Sequence, residues 1–446
     1  MQIFLARYQR NAGKREALKK KSHFSAEPPI LLPMAAYHGT LAAVRCLGAV
    51  GIRVTLAESD LLVPAVWSRF VWRRVSSPRP EDPQRFIGWL LDFGAREPGY
   101  VLYPTSDDVA FLYARYREEL ARFFVLRHSN IDSIYALLNK TRLRVLAEAV
   151  GLSMPRTWVP HDESVFAQVE AEAHFPVVIK PQTQALLHPH VKGVVAGKPA
   201  DLRRTYAEFA ATTAYAPIVL AHDPAVSIAA VQEYVPAGSE DVYGISGFID
   251  ESGELFAARA SRKVLQQPRR LGVGLSFEEA DLLPELVEKV FALCRRAGYH
   301  GVFEAEFIAS DGVYLLIDFN PRFYGQMAFD IARGLPQPLL AYDHALGRCE
   351  RLKERIHAAR ASAAPQGLVY CRGFEFKLLL LLRRLWRTMP PEEADRWWTW
   401  LRTHQTSLVD AVSDAGDRLP GWFEVLHHIA GFLRHPRSFI RNLIWW

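Results

Sequence analysis

Residues 301–322 are GVFEAEFIASDGVYLLIDFNPR, two strand-like runs about a tight turn. Ser310-Asp311-Gly312 separates two runs of alternating apolar and polar residues, the pattern of a β-hairpin with one buried face. Pairing about that turn sets Glu306 opposite Asp318 and Glu304 opposite Asn320, on the face away from Phe303, Phe307, Leu315, Ile317 and Phe319. Carboxylates directly opposite each other repel, so this pairing costs stability unless a cation lies between them. Two carboxylates and an amide oxygen suit Mg2+, which keeps its remaining positions for water and phosphate oxygens. A solvated acidic face on an edge hairpin is the plain alternative.

The whole chain bounds what such a hairpin can belong to. At 446 residues it is long enough for two or three packed units, and with 50% apolar, 12% aromatic and 23% charged residues it has a globular composition. Cys46, Cys294, Cys349 and Cys371 are scattered and make neither a CxxC pair nor a disulfide framework, which points to a reducing compartment and leaves no structural zinc expected. No apolar run reaches the roughly 18 to 20 residues that span a bilayer, and the N-terminus lacks the apolar core of a signal peptide, so the cytoplasm is the expected location. The net charge of +6 is unevenly spread. Residues 1–27 carry Arg7, Arg10, Lys14, Arg15, Lys19, Lys20 and Lys21 against Glu16 and Glu27, a solvated basic arm. No groove-reading motif or aromatic stacking platform accompanies it, so nucleic acid is not an expected partner.

Outward from the hairpin, the N-terminal third reads as a βαβ unit: a buried strand from Ile30 to Met34, a helix from Leu41 to Val50 closed by Gly51, and a strand from Ile52 to Ala57. The intervening turn, Met34-Ala35-Ala36-Tyr37-His38-Gly39, lacks the glycines that let backbone approach a pyrophosphate, which argues against a nicotinamide cofactor. A further strand, Tyr100 to Tyr103, ends in Pro104-Thr105-Ser106-Asp107-Asp108. Ser106 and Asp107 read as a helix cap, and their place at the carboxyl edge of a strand leaves ligand binding as the alternative. Helices are expected over about Lys140–Val150 and near 199–214 and 278–298. Lys140 opens the first of these, where a cation opposes the helix dipole at a cost on the order of 0.3 to 1 kcal/mol unless an anion is near.

The hairpin resembles the metal-binding end of the ATP-grasp ligases, with Glu306, Asp318 and Asn320 at the spacing of the residues that hold Mg2+-ATP and Arg322 in the place of the phosphate-facing arginine. Phe175-Pro176-Val177-Val178-Ile179-Lys180 is similar to the family strand whose lysine contacts the α-phosphate region, and Lys140 falls on the earlier nucleotide-binding lysine. Val231-Gln232-Glu233-Tyr234-Val235-Pro236 looks like the hinge strand against which adenine lies, with the Glu233 carbonyl and Val235 amide as its backbone partners. Glu240 stands where the family often carries an acidic ribose ligand, with Asp241 as the alternative. Arg259 to Val264 resembles a basic strand that reaches the transferred phosphate; Arg262 and Lys263 alternate faces, and Lys263 is taken to enter the site. Residues 182–195 depart from the pattern, with one glycine where many members have a glycine-rich loop. Lys192 is the point charge that replaces the missing backbone amides, and His188 and His190 read as loop residues.

This resemblance covers roughly residues 28–347 and is strongest to the carboxylate-amine ligase-like branch. It implies an α/β chain with a Rossmann-like pre-ATP-grasp domain over 28–135 and a two-lobed, α+β ATP-grasp domain over 136–347, whose lid spans about 150–235. It also implies an ATP-dependent ligase that joins a small-molecule carboxylate to an amine through an acyl phosphate, releasing ADP and phosphate. Mg2+, or Mn2+ in its place, would accompany ATP, and a homodimer is compatible with the likeness. The glycine-poor loop leaves open a second reading, a nucleotide-binding regulatory or scaffolding module. Residues 348–446 form a helical extension outside the likeness; its part from 366 onward holds seven of the eleven tryptophans, and Phe432 to Trp446 carries Arg434, Arg437 and Arg441 without an acid. Docking on the core is the plain reading of these helices, and peripheral contact with the inner membrane face is the alternative.

Overall fold

The computed structural model describes residues 27–235, 242–267, 272–310, 312–362 and 366–437. The basic arm up to residue 26, Glu240 with Asp241, Asp311, and the last residues from 438, with Arg441, lie outside the described residues. Glu27 is described, and Arg348 and Arg351 bind its carboxylate at 2.5 and 3.2 Å.

Four parallel strands come first: β1 (Ile30–Pro33), β2 (Val54–Ala57), β3 (Val71–Val75) and β4 (Val101–Leu102), in the order β3-β2-β1-β4. β1, β2 and β4 are fully buried and apolar but for Thr55, as suits parallel strands covered on both faces. The helix after β1 runs from His38 to Ala49. Gly39 in its first turn serves close packing rather than phosphate binding: a Cβ there would stand 2.3 Å from the Tyr324 carbonyl oxygen. The loop that follows Asn320 is thereby seated directly on this first helix.

The strands β5 (Thr157–Trp158), β6 (Val177–Lys180), β7 (Leu187–His188), β8 (Val194–Ala196), β9 (Ala214–Tyr215) and β10 (Ala230–Glu233) follow. β5-β10-β6-β8 form an antiparallel sheet, and β7 pairs with β9. One face of that sheet buries Val177, Ile179 and Val231 against Leu202 and Phe209 of the helix Pro199–Thr212. The period of two then turns Val178, Lys180 and Gln232 to the other face.

The largest sheet has seven strands, β11 (Val242–Ile249), β12 (Phe256–Gln267), β13 (Val273–Ala280), β14 (Gly301–Ser310), β15 (Val313–Asn320), β16 (Val369–Cys371) and β17 (Leu408–Asp410), in the order β15-β14-β11-β12-β13-β16-β17. The helix expected near 278–298 begins at Pro284, because the residues up to Ala280 are strand. It packs Val290, Phe291 and Cys294 against Phe303, Phe307, Leu316 and Phe319 of the hairpin.

Across the hairpin Glu306 pairs with Asp318 and Glu304 with Asn320. The apolar face differs from expectation. A bulge between Glu306 and Phe307 sets Phe307 opposite Leu316 instead of Ile317, so Leu316 is the buried residue and Leu315 and Ile317 leave the greasy face. One extra residue in a strand reverses the alternation beyond it, and here it turns Ile317 toward the site side.

The region after 348 is helical over Cys349–Ala361, Gly373–Leu385, Pro391–Thr403 and Leu419–Arg434, and it also supplies β16 and β17. Phe376, Leu379 and Leu380 are buried with Trp397 and Leu401. The helix Leu419–Arg434 docks on the N-terminal region: Phe423 stacks on Trp67 with ring centroids 4.0 Å apart. Asp417, just before it, accepts from Ser68 Oγ at 2.6 Å and Arg45 Nε at 3.0 Å. The outer side of this helix leaves Trp422, Leu426, Ile429 and Leu433 exposed at helical spacing. No helix among the described residues is long and apolar enough to cross a membrane.

Candidate functional site

The polar face of the β5-β10-β6-β8 sheet and the acidic face of the hairpin line one cleft with about 1010 Å³ of empty space, part of it open to solvent. Lys140, Lys180, Lys192, Gln232, Glu233, Tyr234, Val235, Lys263, Glu306 and Asp318 all border it. Pro155, Val178, Val242, Ile308 and Ile317 make its apolar walls beside Glu233–Val235, a greasy slot next to backbone at the end of a strand.

Each hairpin carboxylate in the cleft already has a lysine, whereas the Glu233 carboxylate turns to His174, 3.3 Å from its Nδ1. Lys140 Nζ donates to Asp318 Oδ1 at 2.8 Å, which supplies the anion that a cation at this helix start requires. Lys263 Nζ lies 3.2 Å from both Glu306 oxygens. Arg262, one residue earlier, points to the opposite face and binds Glu278 at 3.2 Å, so strand alternation sorts the pair as expected. Lys180 Nζ donates to Gln232 Oε1 at 2.5 Å, and the same amide donates to Thr157 Oγ1 at 2.8 Å. Burial, with the Lys140 charge acting in the same direction and Asp318 against it, brings the Lys180 ammonium down to about 7. Burial would raise the Asp318 carboxyl, but Lys140, Lys192 and Lys180 hold it below the ordinary range. Lys192 Nζ donates to the Gly272 carbonyl at 3.1 Å, across the cleft mouth from its own loop.

Asn320 and Arg322 lie beside this cleft and do not border it. Asn320 Oδ1 accepts from Arg322 Nη2 at 2.8 Å, and Asn320 Nδ2 donates to Glu304 Oε2 at 3.1 Å. Arg322 further binds Asp107 Oδ1 at 2.7 Å and the Phe323 carbonyl at 2.9 Å. Burial works against the guanidinium charge, but Asp107 keeps its pKa above the ordinary value. Of the two residues read as a cap, only Ser106 caps, accepting from the Val109 amide at 3.2 Å, while Asp107 reaches the arginine.

Several residues here take parts that the sequence reading did not assign to them. Glu304 is buried; Gln326 Nε2 donates to its second oxygen, and burial together with the Glu306 charge pushes its carboxyl up to about 7. Ile317 enters the cleft through the bulge. Gln182, assigned to the loop over the phosphates, is instead a buried tie: its amide nitrogen donates to the Ala225 and Ile228 carbonyls at 2.9 and 2.8 Å, and its oxygen accepts from Thr141 Oγ1 at 3.1 Å. His190 Nε2 stands 3.8 Å from Asp108 Oδ2. Only Glu304 carried a signal in the sequence, its register opposite Asn320.

No family model and no curated protein matches the sequence. Solved structures do match in shape. The biotin carboxylase domain of 2-oxoglutarate carboxylase from Hydrogenobacter thermophilus, a dimer in complex with MgADP, ADP and bicarbonate, is 14% identical with a TM-score of 0.56, over 72% of this chain and 70% of that one. N5-carboxyaminoimidazole synthetase from Staphylococcus aureus is 10% identical with a TM-score of 0.53, over 72% and 78% of the two chains. L-amino acid ligase from Bacillus licheniformis is 14% identical with a TM-score of 0.52, over 73% and 75%. Identities this low speak for the fold alone. In this chain a four-stranded parallel sheet is followed by a four-stranded antiparallel sheet and a seven-stranded mixed sheet, with the lysine-lined cleft between the latter two, and the chain has the ATP-grasp fold.

Proposed function

We propose that the chain is an ATP-dependent carboxylate-amine ligase, joining the two substrates as an amide with release of ADP and phosphate. The observation that carries this reading is the convergence of Glu306, Asp318 and four lysines on one cleft whose other wall is the apolar slot at Glu233–Val235. Two opposed carboxylates are hard oxygen donors and fit Mg2+ or Mn2+. Glu306 and Asp318 would hold the metal, and the Asn320 oxygen, which accepts one bond from Arg322, keeps a second lone pair with which to join them.

ATP supplies a phosphoryl group that turns one carboxylate oxygen into a leaving group, giving an acyl phosphate for the amine to attack. The residues of the chain gather and offset negative charge. Lys140 and Lys263 balance the two hairpin carboxylates and offer their charge to an incoming triphosphate. Lys180 and Lys192 add charge from the opposite wall. Gln232 orients Lys180, and Glu233, Tyr234 and Val235 border the place for adenine; Glu240 keeps the ribose role proposed for it. Arg322 is held by Asp107 and Asn320 at the carboxyl edge of the parallel sheet, the place where open α/β sheets take ligands, and it is proposed to meet the carboxylate and the transferring phosphate.

A screen of small carboxylates and amines for ADP release, followed by mass spectrometry of the product, tests this reading. Nucleotide binding without ADP formation for any pair would favour the regulatory or scaffolding module. The exposed stripe Trp422, Leu426, Ile429 and Leu433, close to Arg434 and Arg437, supports peripheral contact with an anionic membrane surface. Failure to co-sediment with anionic liposomes would remove that part. A homodimer, in line with the dimer of the Hydrogenobacter structure, is checked by sedimentation.

A further inference from the structure

A second cavity, with about 590 Å³ of empty space, lies between the turn after β1, the helix Gly373–Leu385 and the helix Leu419–Arg434. His38, Arg372, Glu375, Glu424, His427 and His428 are among the residues that line it. One ligating atom each from His38, Glu375 and Glu424 lie within 4.8 Å of one another. Glu424 is 3% exposed, and its Oε2 has no hydrogen-bond partner. A buried carboxylate oxygen left without a partner costs on the order of 1–3 kcal/mol or more, so this one calls for a cation or a proton. Glu375 is bound by Arg372 at 2.6 Å and stands 3.5 Å from His428 Nε2; both contacts fall on Oε1 and neither engages Oε2.

We propose that His38, Glu375 and Glu424 form a binding site for a divalent transition-metal cation of the zinc class, separate from the nucleotide cleft. One imidazole nitrogen with two carboxylate oxygens is a donor set that zinc accepts and that Mg2+, which prefers all-oxygen surroundings, does not favour. Bonds of about 2.0–2.2 Å at tetrahedral angles place ligand atoms roughly 3.3–3.6 Å apart, so the three side chains need to draw in by about 1 Å. The scattered cysteines removed the usual sign of zinc from the sequence, but a site of this kind needs none. Its three ligands come from residues 38, 375 and 424, so the metal ties the C-terminal helix and the helix Gly373–Leu385 to the turn after β1. It acts alongside the Trp67–Phe423 stack and the Asp417 bonds.

The test uses the full chain, stripped with a chelator and titrated with ZnCl2 in excess MgCl2 without nucleotide, so that it does not depend on the ligase reading. Zinc per chain is measured by elemental analysis, and the unfolding midpoint is followed in parallel. The wild type is expected to bind one more zinc than Glu424→Gln, which keeps the shape of the protonated acid, and to gain in midpoint with zinc. Glu424→Gln and His38→Gln should each weaken that uptake by at least about 10- to 100-fold. Equal zinc uptake and equal midpoint gain in the wild type and both variants would overturn the site. So would a wild type that takes up no zinc beyond the magnesium-competed background.

Discussion

Lys140→Met separates the two jobs assigned to one lysine, because it predicts changes of opposite sign. The ammonium sits 2.8 Å from Asp318 Oδ1, with side-chain exposures of 11% and 43%. A charge-assisted bond contributes on the order of 1.5–3 kcal/mol when well buried. The half-open position of Asp318 screens this to about 1 kcal/mol. Methionine keeps the length and apolar stem of the side chain and leaves Asp318 without that competitor, so free Mg2+ should bind about fivefold more tightly. ATP in saturating Mg2+ should bind about 10- to 100-fold more weakly, since one ammonium-phosphate contact of about 1.5–3 kcal/mol is gone. Isothermal calorimetry with MgCl2 alone, and then with ATP, reads both. If both affinities fell together, or neither moved, the idea that Lys140 exchanges Asp318 for phosphate would be wrong.

Three further outcomes follow from the geometry. Lys180 is brought down to about 7 by burial, so above that pH it is mostly neutral, and a bound phosphate would restore its charge. Nucleotide binding at pH 8 should therefore take up about one proton, with affinity falling by up to about tenfold per pH unit above 7. Below 7 the ammonium is charged in both states and the linkage vanishes. Calorimetry in buffers of different ionisation enthalpy checks this, and uptake that persists in Lys180→Met would assign the proton elsewhere. Arg322→Ala should lower turnover by about 10² to 10³-fold, because a positioned donor at developing charge is removed; a near-normal rate would deny it that role. Gly39→Ala should cost about 1–3 kcal/mol of stability and so lower the unfolding midpoint, since its Cβ would meet the Tyr324 carbonyl oxygen at 2.3 Å. Alanine is otherwise the better helix residue, so a raised midpoint would show that the loop gives way.

What could be seen in the sequence depended on the range of the interaction. The pairing of Glu306 with Asp318 was visible because a tight turn and a period of two determine which residues face each other. The bulge that turns Ile317 into the cleft was not, since a single extra residue leaves the alternation on each side intact. Ser106 as a cap is local chemistry and was legible; Asp107 answers to Arg322, 215 residues away, and no spacing rule reports that. β16 and β17 have three residues each, too short for a period to register, and both join a sheet formed mainly earlier in the chain. The cluster of His38, Glu375 and Glu424 draws on segments more than 300 residues apart and exists only once the C-terminal helix has docked.

The most direct measurement is ATP binding to the wild type and to Asp318→Asn, by calorimetry with and without Mg2+. The account predicts tight, magnesium-dependent uptake of one nucleotide by the wild type and loss of the magnesium dependence in the variant. Uptake that ignores magnesium in the wild type, or a variant that retains the full dependence, would contradict the claim that the hairpin carboxylates hold the metal-nucleotide complex.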